Sequence, residues 1–196
     1  MQNNISSLSI RKRILDTAVA LALLPILIPV FLFICCAVRI TSHGPALYWS
    51  DRFGLGNQIF KMPKFRTMQV NTPAVATHLL IDASTYLTPI GGFLRKTSLD
   101  ELPQLWSVLK GDMSLVGPRP ALYNQRDLIE ARTAVNVHSL RPGITGWAQV
   151  NGRDELSLSD KVDLDAEYLR RQSFIFDGYI LWLTALRVLR RDGVSH

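Results

Sequence analysis

Residues 18–38 carry no charged side chain, and basic residues bracket them, Arg11, Lys12 and Arg13 before and Arg39 after. An apolar run of about 20 residues is long enough to cross a bilayer as a helix. A secretory signal would have a shorter apolar core followed by a small-residue cleavage site, and neither is evident. Two features argue against an ordinary span. Positive charge on both flanks favours holding both ends on the cytoplasmic side. Pro25 and Pro29 fall within the run, where each removes a backbone donor and bends a helix. The residues alone leave two geometries open: a kinked span, and a re-entrant hairpin that enters and leaves by one face.

The chain has 196 residues and a net charge of +6, from 22 Lys and Arg against 16 Asp and Glu. That length suits one domain with a real core plus a membrane element. The basic excess fits an anionic phospholipid membrane or a phosphorylated substrate. Nothing resembles a zinc finger, an RNA-recognition motif or a basic zipper, so nucleic acid is not expected as a partner. Cys35 and Cys36, the only cysteines, are adjacent inside the apolar run. They suit neither a disulfide framework nor a metal site, and read as apolar filler in a reducing compartment.

Beyond the run, His43-Gly44-Pro45 marks a turn. Residues 46–49 and 58–65 are short apolar-aromatic segments around the Gly54, Gly56 and Asn57 cluster, and they predict a β-hairpin. Residues 69–90 predict a variable polar loop, with helix around 78–84. Further helices are predicted over 99–109, 122–131 and 159–171, with a short strand near 147–150 and a turn at Asn151-Gly152. From Phe174 to Arg191, apolar and aromatic residues recur at helical spacing, with Arg187, Arg190 and Arg191 at the far end. That segment is either a terminal helix packed on the core or an interfacial helix with arginines on anionic lipid; its aromatic content favours the second. The predicted class is α+β and helix-rich. It comprises a membrane element over residues 1–40, the re-entrant helix-hairpin or the kinked span, then a small β-hairpin and amphipathic interfacial helices around an active site in a catalytic domain of residues 41–196. The two parts form one catalytic unit.

The stretch from Thr97 to Pro120 carries the chemistry. It sets adjacent carboxylates, Asp100 and Glu101, at a helix start, then breaks at Gly111 and Gly117, then places Arg119 between two prolines. A purely structural account exists: Ser98 to Glu101 fits a capping box, with Ser98 as cap and Glu101 bonding back. Pro103 would then sit inside the helix, which disfavours that register. With Asp100 as the cap, Pro103 falls in the first turn, where its missing donor costs little. In both registers the carboxylates face free backbone donors and the positive helix end, which favours their ionised form. An ionised carboxylate at a phosphate site can be a nucleophile that forms an acyl phosphate, or a ligand for a hard cation such as Mg2+. Arg95 precedes the pair, and Arg119, Arg141 and Arg153 each stand beside Pro or Gly in loops. Four arginines in such ordered loops look like a pre-set polyphosphate clamp. No P-loop, GxGxxG after a strand or DxDxT-like phosphatase motif is present, and the histidines lack metal-ligand spacing.

Taken in order, several motifs resemble the bacterial sugar transferase family, the monotopic phosphoglycosyl transferases that start membrane-linked glycan assembly. They are Lys12-Arg13-Ile14-Leu15-Asp16, Lys64-Phe65-Arg66-Thr67-Met68, Ser98-Leu99-Asp100-Glu101-Leu102-Pro103-Gln104, the run from Lys110 to Pro120, Arg141-Pro142-Gly143-Ile144-Thr145-Gly146-Trp147 and Val150-Asn151-Gly152-Arg153. The resemblance implies that Asp100 attacks the diphosphate of a UDP-sugar, releasing UMP, and that a polyprenyl phosphate such as undecaprenyl phosphate then takes the phosphosugar. It implies a Mg2+ held by Glu101. Arg95, Arg119 and Arg153 match positions near the phosphates and nucleotide; Lys64 and Arg141 join them as substrate-binding candidates, and Asp165 matches a further acid of open role. It also implies a re-entrant helix broken at a Ser-Pro pair, on the cytoplasmic face of the bacterial inner membrane. That pair aligns with Ile28-Pro29, so the serine is missing and Pro25 is an added break; Pro25 and Pro29 are the expected hinge. The destination would be O-antigen, capsule, exopolysaccharide or a protein-linked glycan. No motif specifies the sugar, the glycan or the oligomeric state, a homo-oligomer included. A membrane phosphohydrolase using Asp100 with water, and a non-catalytic membrane adaptor, are the alternatives.

Overall fold

The computed structural model describes residues 2–72, 83–152 and 155–190. Helix α1 runs from Gln2 to Thr41, with both Pro25 and Pro29 inside it. The expected hairpin is therefore not a helix-loop-helix here, because helical conformation continues across both prolines. A spacing of four puts the two rings on the same face, so their two lost backbone bonds fall on one side of the helix. Both prolines lie on the exposed side.

Strands β1 (Leu47–Phe53) and β2 (Ile59–Phe65) pair antiparallel, Leu47 opposite Phe65 and Phe53 opposite Ile59. The predicted hairpin is present, extended by four residues in its first strand and closed by a 3-10 turn over Leu55–Asn57. Pro63 is tolerated in β2 because a two-stranded ribbon has an unpaired edge. Helix α2 (Gly91–Lys96) leads through Thr97 and Ser98 into a 3-10 turn, Leu99–Glu101, and then α3 (Gln104–Lys110). After β3 (Ser114–Val116) come α4 (Arg126–Ala134), β4 (Gly143–Thr145), α5 (Leu158–Arg171) and α6 (Phe174–Arg190). The predicted helix over 122–131 starts and ends later than expected.

The predicted strand near 147–150 is displaced. Gln149–Asn151 forms a 3-10 turn, and the strand is β4, which pairs in parallel with β3. Glycine explains the shift. A Cβ on Gly143 would lie 2.1 Å from the Gly117 nitrogen, and one on Gly146 would lie 2.0 Å from the Gly117 oxygen. Backbone packs directly on backbone there, so the glycines bring the 111–120 and 141–147 motifs together.

Two apolar clusters hold the molecule together, and α1 contributes to both. Ala20 joins Leu105, Val108, Met113, Leu115, Tyr168, Phe176 and Ile180, with Val19 and Leu27 packed alongside. Ile34 and Val38 join Phe65 and Leu94, with Leu99 and Leu102 against them. Leu99, Leu102 and Leu105 recur every three residues, a period that keeps one face through a 3-10 turn. That face ties the start of α3 to both clusters and fixes the residues between. Along α6, Phe176, Asp177 and Ile180 are buried, whereas Ile175, Tyr179 and Trp182 are exposed.

Candidate active site

Asp100 and Glu101 occupy the 3-10 turn ahead of α3 and are 8% and 9% exposed. Neither capping account holds. No side chain caps the turn, and Ser98 itself adopts the left-handed conformation with φ 55°. A non-glycine residue there is strained, and the two clusters on either side keep it so. Instead of bonding back, the Glu101 carboxylate reaches across the fold. Lys64 Nζ donates to Glu101 Oε1 at 2.8 Å, and an Arg119 guanidinium nitrogen donates to the same oxygen at 3.2 Å.

Each cation arrives on a different support. Lys64 comes from β2, two residues before Arg66, which donates to Ser42 and His43 and so ties the ribbon to the end of α1. Arg119 follows β3 in a segment whose backbone is set by the glycine contact with β4 and by two prolines. Arg95, from α2, donates Nε to Thr67 Oγ1 at 2.9 Å and lies close enough to act on the charge of Asp100. Arg52, from β1, donates to Ser50 Oγ and to the Pro120 carbonyl.

Electrostatics separate Asp100 from the sequence-based expectation. Burial pushes the Asp100 pKa up, with Glu101 adding to the rise, while Lys64, Arg95 and Arg119 pull it back. For Asp100 burial outweighs the cations around it and works against the ionised form. Burial likewise lowers the pKa of Lys64, opposed by Glu101. The Arg52 guanidinium, buried and beside Arg119, is pushed down to about 10. The site is a dry cluster of paired charges.

The remaining candidates go elsewhere. Arg141 donates Nε to the Gly111 carbonyl at 3.1 Å, at the far end of α3 and about 15 Å along the helix direction from the acids. It fastens the loop before β4. Arg153 lies outside the described residues. Asp165, on α5, is 1% exposed and takes two bonds from Arg132, at 2.9 and 2.6 Å. Burial raises its pKa, opposed by Arg132. Arg132 in turn donates to the Arg119 carbonyl at 2.7 Å, so Asp165 acts on the acids through Arg132 and the backbone that presents Arg119. Arg52 and Arg132 carry no motif in a strand and a helix of ordinary composition, and only their tertiary contacts reveal them.

Two adjacent carboxylates supply hard oxygen donors, which suits Mg2+ completed by substrate phosphates and water. Among the described residues no group of three or more His, Cys, Asp or Glu gathers around one point, so the protein offers no closed metal cage. Glu101 and Arg119 also line a cavity of about 310 Å³ that reaches α1 at Leu23 and Leu27 and α6 at Thr184 and Arg187.

The profile of the bacterial sugar transferase family matches residues 7–191. An uncharacterized sugar transferase of Bacillus subtilis is 41% identical over 95% of this chain and 91% of its own length. The UDP-glucose:undecaprenyl-phosphate glucose-1-phosphate transferase of Escherichia coli is 40% identical over 90% of the chain, and the undecaprenyl-phosphate galactose phosphotransferase of Salmonella typhimurium 37% identical over 98%. The chain spans less than half the length of these last two, 39% and 44%. With residues 7–191 matched end to end, the chain belongs to the bacterial sugar transferase family.

Proposed function

We propose that the chain transfers a phosphosugar from a UDP-sugar to a polyprenyl phosphate, releasing UMP. The observation that carries this is the buried Asp100-Glu101 pair inside a shell of Lys64, Arg95, Arg119 and Arg52, a setting made for a diphosphate. Two named relatives act on undecaprenyl phosphate with glucose or galactose phosphate, and the class of reaction follows from them; the sugar does not.

In this mechanism an Asp100 carboxylate oxygen attacks the phosphorus that bears the sugar. The bond from that phosphorus to the bridging oxygen breaks, and UMP leaves with the oxygen. The sugar phosphate then rests on Asp100 as an acyl phosphate. An oxygen of the polyprenyl phosphate attacks the same phosphorus, which frees the carboxylate and yields a polyprenyl-diphosphate-sugar. Lys64, Arg95 and Arg119 offset the phosphate charge and favour the ionised Asp100 once burial is shared with the substrate. Glu101 would hold Mg2+, which neutralises the diphosphate charge that builds on the leaving oxygen.

The membrane belongs to the same proposal. Helix α1 is long and apolar enough to cross a bilayer, and only 11% of its apolar stretch is buried in the protein. Its two halves nevertheless pack against the two clusters of one folded body. Prolines on the exposed face would open the helix on that face and favour a bend of both halves toward the protein. That geometry supports a re-entrant helix at the cytoplasmic side of a bacterial inner membrane, with Ile175, Tyr179 and Trp182 of α6 in the headgroups. The product would start a glycan destined for the cell surface.

Purified protein incubated with UDP-sugars, with and without polyprenyl phosphate, tests the reading. UMP release that requires lipid, with ping-pong initial rates and a phosphosugar adduct by intact mass, is the expected result. Release without lipid marks a phosphohydrolase, and no release under any condition marks an adaptor.

A further inference from the structure

The cavity beside the acids has a polar side chain that the proposed chemistry at Asp100 does not use. Gln149, on the turn after β4, is 8% exposed, and neither its Oε1 nor its Nε2 has a hydrogen-bond partner in the structure. Leaving an amide buried and unpaired is destabilising, so such a group points to something that binds there. Gln149 lines the cavity together with Lys96, Ser98, Glu101, Arg119 and Arg187. The rest of the wall is apolar, from Leu23 and Leu27 of α1 to Leu105, Ile144 and Val188.

These two linings call for different parts of one ligand. Leu23 and Leu27 belong to the uncharged stretch of α1 and line the cavity. A nucleoside diphosphate sugar is polar throughout and gains nothing from that wall. A phosphate monoester of a long isoprenoid has an apolar chain for Leu23, Leu27 and Val188. Its charged head fits Gln149, Arg187 and Lys96, next to Ser98 and Glu101. We infer that Gln149 and Arg187 bind the phosphate of the isoprenoid acceptor in this cavity, on the α1–α6 side of Asp100. This rests on the proposed function and adds the site where the acceptor waits. The Gln149 amide donates to a phosphate oxygen, the Arg187 guanidinium takes the charge, and the chain leaves along α1.

Equilibrium binding of radiolabelled farnesyl phosphate to the purified full-length chain in detergent, without UDP-sugar, tests this directly. Saturable binding is expected, with farnesol and dioleoylphosphatidic acid competing at least ten-fold more weakly. Gln149→Leu and Arg187→Gln should each weaken binding five-fold or more, and Leu27→Trp, which fills the apolar wall, should do the same at unchanged melting temperature. In turnover assays the first two variants should raise KM for the lipid about ten-fold with less than two-fold change in KM for UDP-sugar. Absent saturable binding, equal competition by phosphatidic acid, or variants that bind like the wild type would overturn the inference. If the variants keep the wild-type lipid KM while lipid-dependent UMP release persists, the acceptor site is wrong and the transferase reading stands. If the wild type releases no UMP under any condition, the transferase reading itself fails.

Discussion

Lys12, near the start of α1, and Asp177, on α6, form a buried ion pair with Nζ 2.5 Å from Oδ2. Tyr168 donates its hydroxyl to the other Asp177 oxygen at 2.7 Å, and burial, then Asp177, drives the Tyr168 pKa far up. Asp16, one turn along α1, accepts from Ser114 Oγ at 2.7 Å, and Arg13 donates to the Leu109 carbonyl at 2.7 Å. Lys12 and Arg13, just before the apolar run, are thus bolted to the body that carries Asp100. A helix so fastened at its start, and packed through Val38 on Phe65 near its end, is held to one folded body near both ends.

The proposed re-entrant topology rests on that fastening and can be tested. In a background with Cys35 and Cys36 replaced by alanine, single cysteines at Arg11 and at His43 should both resist a membrane-impermeant thiol reagent in intact cells. Both positions are exposed on the protein surface, so protection would come from the membrane. Changing Pro25 and Pro29 to leucine should straighten the helix and expose the Arg11 site outside. Labelling at Arg11 from outside in the unaltered helix would instead show an ordinary span.

Asp100→Asn should lower turnover about 10³-fold or more, because an amide cannot form the acyl phosphate. The same variant should melt higher near neutral pH. With its folded pKa raised, Asp100 binds its proton more tightly in the folded state, so stability falls as pH rises through the window between the unfolded and folded values and stays lower above it. A neutral amide removes that cost. Differential scanning fluorimetry beside a UMP-release assay checks both halves; full turnover in a folded variant would remove Asp100 from the chemistry.

Glu101→Gln should cost about 10²–10³-fold in kcat, since it loosens Lys64 and Arg119 and removes the proposed Mg2+ ligand. EDTA should abolish wild-type UMP release, and Mg2+ should restore it. Turnover that persists in EDTA leaves Glu101 as an ion-pair partner only.

Burial raises the Asp100 pKa and lowers that of Lys64. Attack needs ionised Asp100, so kcat/KM should rise with pH through a limb above the ordinary aspartate value of about 3.9. Lys64 must stay protonated to hold Glu101, so the alkaline limb should fall below the ordinary lysine value of about 10.4. The bell is narrowed from both sides. Lys64→Arg should carry the alkaline limb to higher pH, as a guanidinium keeps its proton; an unmoved limb would assign it to another group.

Asp165→Ala should destabilise the fold by about 3–5 kcal/mol, because it strands Arg132 in the interior. It should also slow turnover through the Arg119 backbone. The double variant Asp165→Leu with Arg132→Met should recover much of the stability without the activity. Equal recovery of both would show that the pair serves the fold alone.

The sequence by itself determined the apolar helix, the β-hairpin, the adjacent acids and the family, because each is written in local pattern: charge-free length, turn residues, motif order. It could not decide which cations reach the acids. Lys64 and Arg119 looked no different from Arg141, yet β2 and the glycine-packed β3–β4 contact deliver the first two to Glu101 while Arg141 fastens Gly111. Nor could it decide the direction in which the Asp100 pKa moves, which a helix-end argument makes downward and burial between two clusters makes upward. Burial, long-range ion pairs and the close approach of Gly117 to Gly143 and Gly146 are properties of residues far apart in the chain. Only the packed tertiary structure brings those groups within reach of one another.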